Sequence, residues 1–518
     1  MSKKRAIISV HDKTGVAAFA KELCELGFEI VSTGGTARHL SESGIDVTEV
    51  SDVTGFPEVL DGRVKTLHPL IHAGILARRI PSHEAQLEQI GASWVDMVVI
   101  NLYPFQQTVD AGKDHETVIE NIDIGGPSMI RAACKNYERV AVVTSPDRYE
   151  GIVEELKKFG NITDETRFEL AREAFHHTAA YDCAIANYFD SESKKCDRDE
   201  DITNFVMGAQ LCQTLRYGEN PHQKAAFYRT TGVQSTGLAS MRQLSGKELS
   251  FNNLMDMNSA LAVVNEFGSS KTVVSIIKHN TPCGVAVGDS VADAYSKALE
   301  CDSVSAFGGI VACNREIDAP AAELMKKLFL EVIVAPSFSE QAKEILMAKS
   351  KLRLVEVSME EFARGLKYDI KAVSGGYLVQ EADVELTDTE EGIKVVTDRK
   401  PTNEEMDQLM SAWRVVKQVK SNAIVLWKDD RTVGIGAGQM NRVGAANIAV
   451  ESAGENSRGS VMASDAYFPF GDTIEQAHSA GVTAVIQPGG SIRDNESIEA
   501  CNKYGIAMVF TGMRHFRH

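Results

Sequence analysis

The sequence predicts an α/β protein of two domains, a parallel sheet wrapped by helices followed by a duplicated α/β unit. Three observations carry this. In the first part, continuous apolar runs alternate with stretches of helical period, the pattern of strands covered on both faces. Later, 273–336 and 423–488 follow one order of strand, turn, strand and helix. Finally, 518 residues exceed what one hydrophobic core supports.

In chain order, RAIISV precedes a helix through Ala17 to Leu26, FEIVST precedes a helix after Gly35, and VDMVVINLYPF and RVAVVTS supply further strands. Ligand loops in such sheets follow the strands. From about Thr163 the pattern turns helical, and the polar SESKKCDRDEDIT at 191–203 reads as an exposed connection. The domain boundary is placed there, giving 1–198 and 199–518. In the first repeat, VVSIIKHNTPCGVAVG, a helix, SVSAFGGIVACN, a helix and VIVAP follow one another. In the second, AIVLWKDDRTVGIGAG, a helix, SVMASDAYFPFG, a helix and AVIQPGG do. Lys278 and Lys428 sit at matching turns, but His-Asn follows one and Asp-Asp the other, so a shared fold with divergent polar groups predicts one composite site. The stretch 350–402 is read as an irregular elaboration between the copies.

Hydrophobic residues at 43% and charged residues at 24% describe a chain that folds rather than one that stays disordered. Its 54 basic and 72 acidic residues leave a net charge of −18, which repels a phosphate backbone and argues against nucleic acid. Nine scattered cysteines without CxxC spacing suit reduced thiols, and no apolar stretch has the length of a signal peptide or membrane span. A cytoplasmic protein is expected.

Several loops bear chemistry. STGGT (32–36) joins a strand to a helix, a geometry that turns backbone N–H groups toward a phosphate. HDKTG (11–15), GRVKTLHP (62–69), NLYP (101–104), DIGG (123–126) and RAACKN (131–136) fall at strand ends or helix starts, where Lys13, Arg63, Lys65, Arg131 and Lys135 can meet one anion; read singly, each is a solvated surface charge. KHNTPCG sets Lys278 and His279 at a turn between apolar strands, where a histidine can carry protons near neutral pH or serve as hydrogen-bonded scaffold. The zinc deaminase signature H-x-E with P-C-x-x-C is not met, because Ala286 stands where the second cysteine belongs. GIGAGQ (434–439) imitates a dinucleotide fingerprint with Gly438 one position early. LRYGENPHQ (215–223) is polar and stiffened by Pro221.

Taken together, RVKTLHP, NLYPF, DIGGPS, LRYGENPHQ, KHNTPCG, SAFGG, GIGAGQ and SDAYFPF resemble, from Ser9 to His518, the bifunctional phosphoribosylaminoimidazolecarboxamide (AICAR) formyltransferase and IMP cyclohydrolase family. The resemblance implies a methylglyoxal-synthase-like first domain and a second made of two cytidine-deaminase-like subdomains without zinc. It implies formyl transfer from 10-formyltetrahydrofolate to the 5-amino group of AICAR, then dehydrative closure of the product, FAICAR, to IMP. His279 is the expected base and Lys278 an oxyanion or leaving-group partner. Arg216, Tyr217, Phe307, Gly308, Glu331, Asn422 and Arg442 match nucleotide-site positions. Asp472 and Arg514 match positions near the folate or a partner subunit, and Ser491 joins the binding set. For ring closure, Lys65, Tyr103, Asp123 and Lys135 match the reactive cluster, with Lys135 as proton carrier, Asp123 its polar partner and Tyr103 an oxyanion donor. Asp12, Lys13, Ser32, Gly34, Gly35, Thr36, Arg63, Thr66, Asn101, Ile124 and Gly125 complete the substrate loops. His11 stands where the family is expected to carry serine, and Lys13 can compensate. A homodimer with shared formyltransferase sites is implied, and a monovalent cation is admitted.

Two rival classes have specific discriminators. A nucleotide-dependent oxidoreductase would bind nicotinamide and ignore folate. A nucleotide sensor would bind without turnover, which the presence of Lys278, His279, Lys65 and Lys135 argues against.

Overall fold

The computed structural model describes residues 3–195, 204–231, 236–365, 368–386, 392–468 and 470–518. It divides into two units, Met1–Gln210 with Arg229–Gln234, and Leu211–Tyr228 with Ser235–His518. The expected boundary at 198/199 falls outside the described residues. The first five residues of the polar stretch, 191–195, are not a connection: they close a helix that runs Asp164–Lys195.

The first unit is built on five parallel strands, Lys4–Val10, Phe28–Ser32, Val47–Glu49, Met97–Asn101 and Ala141–Val143, in spatial order third, second, first, fourth, fifth. Side chains alternate along the central strand, Ala6, Ile8 and Val10 entering one core and Ile7 the other, which is why RAIISV shows no polar face. The chain leaves the first strand for the second on one side and returns to the fourth on the other. That reversal opens a crevice at the strands' carboxyl ends.

The second unit carries a sheet of twelve strands. Six belong to the first repeat: Arg242–Ser245, Thr272–Lys278, Thr281–Gly288, Ile310–Cys313, Val332–Ala335 and Arg353–Glu356. Six belong to the second: Lys394–Val395, Ile424–Lys428, Arg431–Gly436, Val461–Ser464, Ala484–Gln487 and Ala507–Phe510. The halves meet where Thr281–Gly288 lies antiparallel to Arg431–Gly436, a seam closed by buried Thr432, whose hydroxyl accepts from the Val285 N–H (2.9 Å) and donates to its carbonyl (3.2 Å).

The duplication reaches further than the sequence pattern indicated. It includes the helices Phe251–Asn265 and Asn403–Val416, both opened by a capping box, and takes in Arg353–Glu356, which 350–402 had seemed too irregular to contain. Each hairpin carries a glycine against which its following helix packs. A Cβ on Gly284 would lie 1.9 Å from the Ala298 carbonyl and one on Gly434 2.0 Å from that of Ala449, so both positions exclude every other residue. One core, with Trp413 and Trp427, runs under both halves. Separate cores cover the opposite face of each.

Strand directions place the expected transferase residues on one edge of this sheet. Thr272–Lys278 ends there; Ile310–Cys313 and Val332–Ala335, antiparallel to it, begin there. Ile424–Lys428 begins there, and Val461–Ser464, Ala484–Gln487 and Ala507–Phe510 end there.

Candidate functional site

In the first unit, the loops after the first and fourth strands are joined directly. Asn101 Oδ1 accepts from the backbone N–H groups of His11 (2.6 Å) and Asp12 (2.9 Å), and its amide donates to the Asp12 carbonyl at 3.0 Å. The His11 ring meets that of Tyr103 edge-on at 5.8 Å, and Lys13 reaches back to the His11 carbonyl. Hydrogen bonds from Thr14 hold the Asp12 carboxyl below its usual range.

The Gly34–Glu42 helix starts beside this crevice with no side chain capping it, so its first-turn amides remain open to an anion. The hydroxyls of Ser32 and Thr36 do not join them. Both are buried, Ser32 donating to the Ile8 carbonyl (2.6 Å) and Thr36 to that of Val10 (2.9 Å). They tie strand ends together, leaving the backbone N–H groups at the helix start uncapped by either hydroxyl. Gly34 has φ +56°, and a Cβ there would sit 3.5 Å from Lys65 Nζ, which places that ammonium at the helix start. Glu58 holds it at 2.9 Å.

Opposite lies the start of the Gly125–Lys135 helix. Gly125 touches buried Thr66 so closely that a Cβ would stand 2.5 Å from its hydroxyl. The Asp123 carboxylate accepts from the Gly126 N–H at 2.9 Å, with the backbone of Tyr103 and Gly125 nearby. Burial outweighs these donors and pushes its carboxyl up from the ordinary range, as suits an acid or base in a cleft. Ile124 is exposed. Arg63 is ion-paired to Glu120. Lys135 stands exposed in the last turn, about 15 Å along the axis from Gly125, and the described contacts do not join it to Asp123.

In the second unit, Lys278, His279, Asn280 and Thr281 form a tight hairpin turn with φ +54° at His279 and +59° at Asn280. His279 is exposed, and Lys278 Nζ donates to the Phe307 carbonyl at 2.6 Å. The sister turn repeats this, Asp429 and Asp430 taking φ +49° and +61° and Lys428 donating to the Arg458 carbonyl at 2.8 Å. The lysine contact is thus part of the shared fold, whereas His279 is particular to the first copy. Gly308, at φ +73°, donates to the Phe329 carbonyl (2.8 Å), and Phe307 packs on Phe329. Glu331 accepts from Asn253 and Arg353, each at 3.2 Å. The Arg216–Tyr217 loop comes near the same helix start, where Asn252 donates to the Glu219 carbonyl at 3.4 Å.

Sequence reading missed Asp256 on that helix, whose carboxylate takes the Asn280 N–H at 2.6 Å. An acid inside the apolar helical run FNNLMDMNSALAVVN was the available signal.

Arg442 and Asn422 meet, but as an internal pair. Arg442 is buried, donating to Asn422 Oδ1 (2.7 Å), Ser464 Oγ (2.8 Å) and the wholly buried Asp465, which Ser421 also holds. Arg442→Ala is expected to lower stability by about 3–5 kcal/mol by stranding the Asp465 charge; the urea midpoint followed by tryptophan fluorescence measures it. Asp472 opens the Asp472–Ser479 helix, Ser491 accepts from the Arg493 N–H, and Arg514 stacks on Phe516. GIGAGQ continues a strand antiparallel to both neighbours, not a dinucleotide-binding parallel strand. No helix among the described residues is long and apolar enough to cross a membrane.

Known proteins are similar to this chain along its length. The family model described as AICARFT/IMPCHase bienzyme matches residues 133–452, and that of the MGS-like domain matches 15–128. The "Bifunctional purine biosynthesis protein PurH" of Acetivibrio thermocellus is 52% identical over 519 residues, covering 99% of this chain and 100% of the relative. Its namesake from Bacillus cereus strain AH820 is 51% identical over 520 residues, covering 100% of both. Fold, site edges and relatives define a two-activity α/β enzyme of purine biosynthesis. The chain belongs to the AICARFT/IMPCHase bienzyme family, as a bifunctional AICAR formyltransferase and IMP cyclohydrolase using a folate formyl donor.

Proposed function

We propose that each unit carries one activity, ring closure at the five-strand crevice within 1–198 and formyl transfer at the twelve-strand edge within 199–518. The carrying observation is that His279 and Lys65 each sit at a strand-end loop cluster of their own unit.

For transfer, the donor is 10-formyltetrahydrofolate. The 5-amino nitrogen of AICAR attacks the formyl carbon while His279 takes its proton; the bond from that carbon to folate N10 breaks, and a proton goes to N10. Lys278 supports the oxyanion or the departing nitrogen. Phe307, Gly308, Glu331, Arg216 and Tyr217 line the nucleotide side.

For closure, the carboxamide nitrogen attacks the formyl carbon of the same molecule and water leaves, so orientation provides much of the advantage. Lys65 and Tyr103 stabilise the oxyanion, Asp123 exchanges the proton, and the Gly34–Gly35 amides hold the phosphate.

A homodimer completes the transfer site. Asp472, Ser491 and Arg514 follow strands four, five and six spacings from Thr272–Lys278, about 19 to 29 Å along the sheet. That separation exceeds one ribonucleotide and supports pairing one copy's His279 with the other's second half. The enzyme works in the cytoplasm.

The test supplies the full chain with AICAR and 10-formyltetrahydrofolate, and separately with FAICAR alone. IMP is expected from both; failure of FAICAR to close without folate, or of folate to support transfer, refutes the assignment.

A further inference from the structure

We infer that Asp256 is a positioning residue for formyl transfer: its carboxylate, carried by the Phe251–Asn265 helix beneath the hairpin turn, holds His279 in place and offers negative charge to the imidazole as it takes up the proton. This rests on His279 being the base proposed above.

The contact is made by the turn's backbone. Asp256 Oδ1 accepts from the N–H of Asn280, the residue next to His279, at 2.6 Å. The Asn280 side chain joins the turn to the same helix, its Oδ1 accepting from the Ser259 hydroxyl at 3.1 Å. Other charged groups around the turn have partners of their own: Lys278 on the Phe307 carbonyl, Glu331 on Arg353. Asp302 acts, with Lys278 and Asp256, on the neighbouring Cys283 thiol. Burial pushes the Asp256 carboxyl up, while the turn amides and the His279 charge pull it down.

The internal duplication supplies the control. Asp256 is the sixth residue after the cap Ser250; the sixth after the sister cap Thr402 is Gln408. The sister turn takes the same left-handed conformation without an acid at that helix position. The turn therefore forms without it, and the carboxylate accompanies only the copy that carries the histidine.

Asp256→Asn keeps the acceptor and removes the charge. For formyl transfer, kcat is expected to fall at least about tenfold with KM for AICAR within about twofold. The loss should fall on kcat and not on KM, because the carboxylate acts on the base and not on the nucleotide. Asp256→Glu, which retains the charge, should return kcat toward its original value. Closure of supplied FAICAR on the same chain should be unchanged. Unaltered kcat in Asp256→Asn, with transfer lost in His279→Ala, overturns the inference. Loss of both activities in Asp256→Asn and Asp256→Glu alike, marking a folding role, overturns it too. Transfer surviving in His279→Ala instead sinks the underlying assignment of the base.

Discussion

His279→Ala should lower formyl transfer by about 10²- to 10⁴-fold, the range a positioned general base supplies, while supplied FAICAR still closes to IMP. The amine of AICAR is aromatic and flanked by a carboxamide, so it attacks poorly unless its proton leaves as the bond forms. His279 is exposed at the tip of a hairpin whose strands are otherwise buried, so truncating it creates no cavity and unpairs no buried group. Steady-state assays of both reactions on one preparation measure the split. Equal loss of transfer and closure would show that the units do not divide the chemistry.

Lys65→Ala should do the reverse, lowering closure by about 10²- to 10³-fold, as loss of one oxyanion donor does, with transfer intact. Its ammonium stands at the start of the Gly34–Glu42 helix, where its charge adds to open amides, and Glu58 holds it there before substrate arrives. Closure forms a bond within one molecule, so the variant should act on kcat more than on KM for FAICAR. Release of IMP from supplied FAICAR measures it. A closure rate unmoved by this change would remove Lys65 from the reaction.

Much of this was legible beforehand. Buried parallel strands read as continuous apolar runs because both faces are covered, so RAIISV and VDMVVI declared themselves. The paired hairpins were legible because each needs the same left-handed turn and the same glycine under its helix; that constraint kept KHNTPCG and KDDRTVG alignable while their polar residues diverged. Other features were not. Ser32 and Thr36 have the composition of a phosphate loop, but their hydroxyls close onto Ile8 and Val10, a choice set by strand spacing. The ion pair that joins Arg442, matched to the nucleotide site, with buried Asp465 was not legible either, because their pairing depends on neighbouring strand ends.

The amino-acid order by itself determined the family, the alternation of elements and the reactive turn, because these depend on local period and on motifs only a few residues long. Only the tertiary structure decided which charges converge. It set Lys65 at the Gly34 helix, left Lys135 at the far end of another, and slid Asp256 beneath His279. Such meetings follow from strand order and direction, which bring distant residues to one edge through packing that no short stretch of sequence encodes.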